Sequence, residues 1–94
     1  MTGTTTEVEI PRKPSLEEHR ERVLRTRYEF HAAHSAFQLA LRAWGESKTP
    51  ETTAAMVAAR QAWIEARRVA QEAEVASRAA WNEHRQALRA KEGW

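Results

Sequence analysis

Histidine is the residue type in this sequence with the widest chemical repertoire, and His31 and His34 lie only three residues apart. On a helix this spacing places both imidazoles on one face, where they could share a metal ion. The two residues between them are alanines, and the chain contains no aspartate or cysteine and no His-Glu-x-x-His pattern of the zinc proteases. We therefore expect no metal site and no cofactor.

The sequence also lacks the residue combinations that known catalytic sites use. A catalytic histidine has no aspartate to orient it, and no serine stands in a Gly-x-Ser-x-Gly context. The three glycines, Gly3, Gly45 and Gly93, are too far apart to form a phosphate-binding loop. The sequence therefore predicts a protein that is not an enzyme.

Arginine is the remaining candidate for chemistry, because Arg20, Arg22, Arg25 and Arg27 crowd two turns of one segment and could contact phosphate. Glutamates are interleaved among them, and the formal charge of the whole chain is only +2, from 12 Arg, 3 Lys and 13 Glu. A dedicated nucleic-acid binder normally carries a clearer basic excess. A solvated, salt-bridged surface is the favoured interpretation, and nucleic-acid binding stays a less favoured alternative.

The segments that carry these residues are two long helices. Residues 1–14 predict an extended arm, since Pro11 and Pro14 interrupt helix there. A capping box from Ser15 to Glu18 predicts the start of helix 1, and Gly45 predicts its end after Trp44. After a loop over 45–49, Thr49 would cap a second helix, over about 50–92, that begins with Pro50. The fold class is therefore an all-α antiparallel coiled-coil hairpin over residues 15–94.

A seven-residue repeat defines the expected seam between the helices. Its members are Leu16, Val23, Phe30, Phe37 and Trp44 in helix 1 and Ala59, Ala66, Ala73 and Ala80 in helix 2. A second column in helix 2 would be Ala55, Ala62, Val69 and Ala76. Counting outwards from a turn near residue 48 places Phe37 opposite Ala59 and Phe30 opposite Ala66, so that large side chains meet small ones.

Large apolar residues outside this seam predict surfaces that bind other proteins, because exposed apolar clusters and tryptophans mark interfaces. The residues assigned to this protein interface are Leu39, Met56, Val57, Trp63, Ile64, Trp81, Leu88 and Trp94. Two other interpretations stay open. The arm could fold back, with Val8 and Ile10 covering Trp81 and Leu88, or two hairpins could pair into a four-helix bundle.

A helical hairpin of this length with Trp44-Gly45 at the turn resembles the WXG100 family of small secreted effectors. The resemblance implies a dimer exported by a type VII system. The turn of that family is Trp-x-Gly, whereas Gly45 follows Trp44 directly, and Arg85 stands where the family's export signal would place an acid after Trp81. The resemblance is therefore one of architecture, and it assigns no residue a role.

The expected function is that of a non-enzymatic interaction and structural protein: a homo-oligomer or a subunit of a larger assembly, such as a small component of a viral particle. The alternatives are an inhibitor or regulator that docks on one protein target, a WXG100-like secreted hairpin and a nucleic-acid-binding regulator. No membrane partner is expected, because no apolar run is long enough to span a bilayer. No signal peptide is evident at the N-terminus, so we expect a cytoplasmic or virion protein.

Overall fold

The computed structural model describes residues 12–93, which form two long helices packed against each other. Helix α1 spans Leu16–Glu46 and helix α2 spans Pro50–Lys91. At 1.5 Å per residue they are about 46 and 63 Å long. The all-α hairpin is therefore confirmed. Most of the predicted arm lies outside the described residues, as do Val8, Ile10 and Trp94.

The start of α1 follows the predicted capping box. The Ser15 hydroxyl accepts a hydrogen bond from the Glu18 amide at 3.1 Å, and the Glu18 carboxylate accepts one from the Ser15 amide. Arg12 holds the same carboxylate at 2.9 Å. Two amides of the first turn that the helix leaves unpaired are thus satisfied, and the negative charge lies at the favourable end of the helix dipole.

The end of α1 differs from the prediction, because the helix continues through Gly45 to Glu46. Among the described glycines only Gly93 has a positive φ, so Gly45 does not act as a left-handed helix terminator. The chain instead leaves the helix in extended conformation at Ser47, whose amide donates to the Ala43 carbonyl at 3.1 Å. Thr52 of α2 donates to the Ser47 carbonyl, and this bond provides the termination that glycine was expected to supply.

The turn holds α1 and α2 together through side chains. Thr49 caps α2 as predicted and accepts from the Thr52 amide at 3.1 Å, with Pro50 in the first turn. The Trp44 indole donates to the Thr53 hydroxyl at 3.1 Å across the turn. The Lys48 ammonium lies 4.9 Å from the centre of the Trp44 ring, a cation–π distance. Three loop residues are thus enough to reverse the chain.

The inner face of α1 carries the predicted heptad column, with Leu16, Val23, Phe30, Phe37 and Trp44 all half-buried. In α2 the column of Ala59, Ala66, Ala73 and Ala80 is half-buried or buried. The second inner column of α2 matches the predicted one only in part. Val69 and Ala76 of the predicted column are half-buried, whereas Ala55 and Ala62 are exposed. The column that is half-buried along its whole length is Met56, Trp63, Ala70 and Ser77. Burying an indole removes more apolar surface from water than burying alanine, so this rotation of α2 is favoured.

The clearest contact across the seam joins two aromatic rings. Phe37 stacks on Trp63, which is one helical turn further along α2 than the predicted Ala59. Side chains on a helix lean towards its N-terminus. In an antiparallel pair, Phe37 therefore leans away from the turn and Trp63 leans towards it. The two rings meet although their backbones are not level.

The closest packing lies midway along the hairpin. Ala73 is 1% exposed and Thr26 is 3% exposed, and they are the two buried residues of the described chain. The Thr26 hydroxyl donates to main-chain carbonyls of its own helix, at 2.8 Å to Arg22 and 3.2 Å to Val23. Its polar group is therefore satisfied without a partner from α2.

Helix α2 outruns α1 at the end remote from the turn. Every described residue from 81 onwards is exposed, whereas Ala80 is still half-buried. Trp81 and Leu88 therefore lie on a projecting end of α2.

Candidate protein-interaction surface

An aromatic cluster lies inside the hairpin and holds its two helices together. The Phe37 and Trp63 rings are nearly parallel, at an interplanar angle of 12° and with centroids 5.4 Å apart. His34 lies 5.4 Å from Trp63 and stacks on Phe30 at 6.5 Å. The Trp63 indole nitrogen is buried and has no hydrogen-bond partner within residues 12–93. Trp63, expected on the outer surface, thus packs within the hairpin, as does the half-buried Met56.

The other predicted interface residues lie on the outside. Leu39 is 63% exposed, and Val57, Ile64, Trp81 and Leu88 are each between 44% and 46% exposed. Four large apolar residues outside the predicted set are also exposed: Leu24, Tyr28, Leu41 and Val75. Their signal in the sequence was weak, because each falls outside the inner heptad columns and stands among charged residues or alanines.

One broad side of the hairpin carries an excess of arginine, and we call it the basic face. A groove on this side is lined by Arg27 and His31 of α1 and by Arg67, Gln71 and Glu74 of α2. An adjoining depression brings Arg78 next to Arg27 and Glu74. Three more arginines lie on the same side, because each is seven residues away from Arg27, Arg67 or Arg78 in its own helix. The arginines of the basic face are Arg20, Arg27, Arg60, Arg67, Arg78 and Arg85.

Most of the arginines on the basic face have no carboxylate partner among the described residues. Arg27 pairs with Glu74 across the two helices at 3.0 Å, which leaves the other five arginines without an ion pair among residues 12–93. Apolar side chains are spread along this face. Leu41 and Val57 lie near the turn, and Leu24, Ile64 and Trp81 lie between successive arginines of their helices.

The opposite side is apolar and electrically balanced, and we call it the neutral face. Its apolar residues are small or aliphatic: Ala32, Ala36, Leu39, Ala43, Ala55, Ala62, Val69 and Ala76. Arginines on this side and along the outer edge pair locally. Arg25 lies 3.9 Å from Glu29, and Arg68 bridges Glu65 and Glu72 of the same helix. Little net charge is therefore left there.

Among residues 12–93, the Arg68 pairing is the interaction that shifts a pKa clearly. Hydrogen bonding from Arg68 lowers the pKa of the Glu65 carboxyl; desolvation opposes this shift, and the positive charge of Arg68 adds to it. The same hydrogen bond and the two carboxylates raise the pKa of the Arg68 guanidinium further. Both side chains are exposed, so this pair contributes little to stability.

Two other histidines, His31 and His84, lie against aromatic rings. His31 lies 5.3 Å from the Phe30 ring, and His84 packs edge-on against Trp81 at 5.9 Å. Within residues 12–93 no three histidine or glutamate side chains gather as they would around a metal ion. Neither α1 nor α2 is apolar enough over a sufficient length to cross a bilayer.

Comparison with protein-family models, curated proteins and solved structures finds no match for this chain. Its fold and the two faces of the hairpin are therefore the basis for assigning a function.

Proposed function

We propose that this chain is a non-enzymatic protein-interaction module, a helical hairpin that completes its packing against another protein, in the first instance a second copy of itself. The observation that supports this is the small core. Only Ala73 and Thr26 are buried within residues 12–93, while nine large apolar side chains are at least 39% exposed. A chain of this size has little surplus stability from its own core, so additional burial is favoured.

The neutral face is the surface proposed to contact a second copy. Its alanines allow helices to approach closely, and Leu39 and Val69 can fill the space between them. Two copies of the basic face would bring like charges together, at a cost in free energy. Two neutral faces meet without that penalty. A pair of hairpins joined in this way is a four-helix bundle, the common solution for helices with spare apolar faces.

The dependence of the thermal unfolding midpoint on protein concentration tests this proposal. Followed by far-UV circular dichroism over about a hundredfold range of concentration, the midpoint should rise with concentration, because association stabilises the folded state by mass action. The double variant Leu39→Lys, Ala62→Lys should lose this dependence. A matched control, Ser35→Lys with Gln61→Lys, places the same charges on exposed positions of the outer edge and should keep it. A midpoint independent of concentration in the unmodified protein would contradict the proposal.

A further inference from the structure

The basic face has a different character from the neutral face, and we infer that it binds an acidic, amphipathic helix of a partner protein. This inference rests on the proposed function as an interaction module and names the chemistry of the second partner. It requires that the arginines be available, that apolar anchors accompany them, and that the surface have the shape of a helix-binding groove.

The arginines are available because the chain supplies them with few carboxylates. On the outer edge, Arg68 is held by Glu65 and Glu72, and near the start of α1, Arg12 is held by Glu18. On the basic face only Arg27 has such a partner among the described residues. The guanidinium groups of Arg60, Arg67, Arg78 and Arg85 are thus free to form bidentate bonds with incoming carboxylates.

Apolar anchors accompany the row of arginines. Leu41 and Val57 lie near the turn and are 39% and 45% exposed, whereas Ile64 and Trp81 lie between successive arginines of α2 and are 46% and 44% exposed. Phosphate groups of a nucleic acid duplex would leave these side chains in water, whereas an amphipathic helix would cover them with its own apolar residues. Arginine and tryptophan are also the residue types that contribute most to protein interfaces. The combination therefore favours a protein partner.

The groove on the basic face lies between α1 and α2, so that a third helix could lie along both of them. Its floor is formed by Phe30 of α1 and Ala70 of α2, and its rims by Arg27, His31, Arg67 and Glu74. The small Ala70 lowers the floor on the α2 side. A helix lying along the groove would place apolar residues over Phe30 and Ala70 and glutamates against Arg67 and Arg78.

A synthetic acidic peptide tests this inference directly. The probe is a fluorescent peptide of about four heptads, with leucine at the a and d positions and glutamate at e and g, so that repulsion disfavours its self-pairing. Binding to the full chain is measured by fluorescence anisotropy. We expect saturable binding, weakened at least about tenfold by Arg67→Glu with Arg78→Glu. A control with the same net charge, Arg42→Glu with Arg89→Glu, changes exposed arginines away from the basic face and should bind like the unmodified protein.

Three outcomes would overturn the inference: no binding of the acidic peptide, equal weakening by both double variants, or equally tight binding of a peptide with lysine in place of glutamate. A fluorescent DNA duplex is titrated in parallel. If the duplex binds more tightly than the acidic peptide and the Arg67→Glu, Arg78→Glu variant abolishes its binding, the face is a nucleic-acid surface instead. The self-association proposal is tested separately, by the concentration dependence of the unfolding midpoint, and none of these binding results bears on it.

Discussion

The rings of Phe37 of α1 and Trp63 of α2 stack between the two helices, nearly parallel and with their centroids 5.4 Å apart. This contact fixes the rotation of α2, because it requires the column of Met56, Trp63, Ala70 and Ser77 to face α1. The same rotation turns Ala55 and Ala62 outwards to the neutral face and brings Arg67 and Arg78 to the basic face. One aromatic contact thus determines which two surfaces the hairpin presents.

Replacing Trp63 by alanine should destabilise the hairpin itself. Removing a large, half-buried aromatic should cost about 2–4 kcal/mol, somewhat below the range for fully buried rings. Urea denaturation followed by circular dichroism measures this. Trp81→Ala is the matched control, because Trp81 is exposed on the projecting end of α2, and its effect at low protein concentration should stay within about 0.5 kcal/mol. Equal effects of the two changes would show that the Phe37–Trp63 stack does not support the fold.

Enlarging Ala73 should also be costly, because it is 1% exposed at the closest point between the helices. Ala73→Leu should destabilise by about 1–3 kcal/mol, since the added carbons must push α1 and α2 apart. The same change at Ala58, an exposed position of α2, should shift stability by less than about 0.5 kcal/mol. If Ala73→Leu stabilised the protein in denaturant titrations, the packing described here would be wrong.

The side chain of Ser15 should contribute a measurable cap. Ser15→Ala removes the acceptor of the Glu18 amide and should cost about 1 kcal/mol. Ser35→Ala makes the same chemical change at an exposed position within α1 and should be neutral or slightly stabilising, because alanine is the better helix former. Thermal unfolding of the two variants at one concentration compares them. Loss of stability in Ser35→Ala but not in Ser15→Ala would contradict the capping geometry.

The pKa of Glu65 should depend on Arg68. Because hydrogen bonding from Arg68 lowers this pKa, the pairing is present when the pH is above the ordinary pKa of a glutamate and is lost as the pH falls through the lowered pKa. Arg68→Gln should therefore raise the pKa of Glu65 towards its ordinary value. Carboxyl chemical shifts followed by NMR during a pH titration measure the change. Arg42→Gln is the control, and a pKa of Glu65 that stays low in Arg68→Gln would assign the shift to another cause.

The two helices and both N-terminal caps could be predicted from the sequence because their signals are local. Ser15 and Glu18, and Thr49 and Pro50, determine where each helix begins without reference to the rest of the fold. The Gly45 signal is equally local but was misleading, because Gly45 stays helical and the chain leaves α1 only at Ser47. Local signals thus located the turn to within two residues.

The second inner column of α2 could not be chosen from the sequence. In α2 the columns that begin at Ala55 and at Met56 both repeat every seven residues, and the abundance of alanine makes both acceptable as an inner face. The choice depends on the contact of Trp63 with Phe37, and the offset of that pair depends on the lean of both side chains. The basic and neutral faces follow from this choice, so they could not be distinguished before the packing was known.

The molar mass in solution tests the central claim most directly. Light scattering behind a sizing column, over about a hundredfold range of concentration, should give a discrete oligomer whose mass is a whole multiple of 10.8 kDa. The Leu39→Lys, Ala62→Lys variant should shift the equilibrium towards the monomer. A fully helical protein that stays monomeric at every concentration would contradict association through the neutral face.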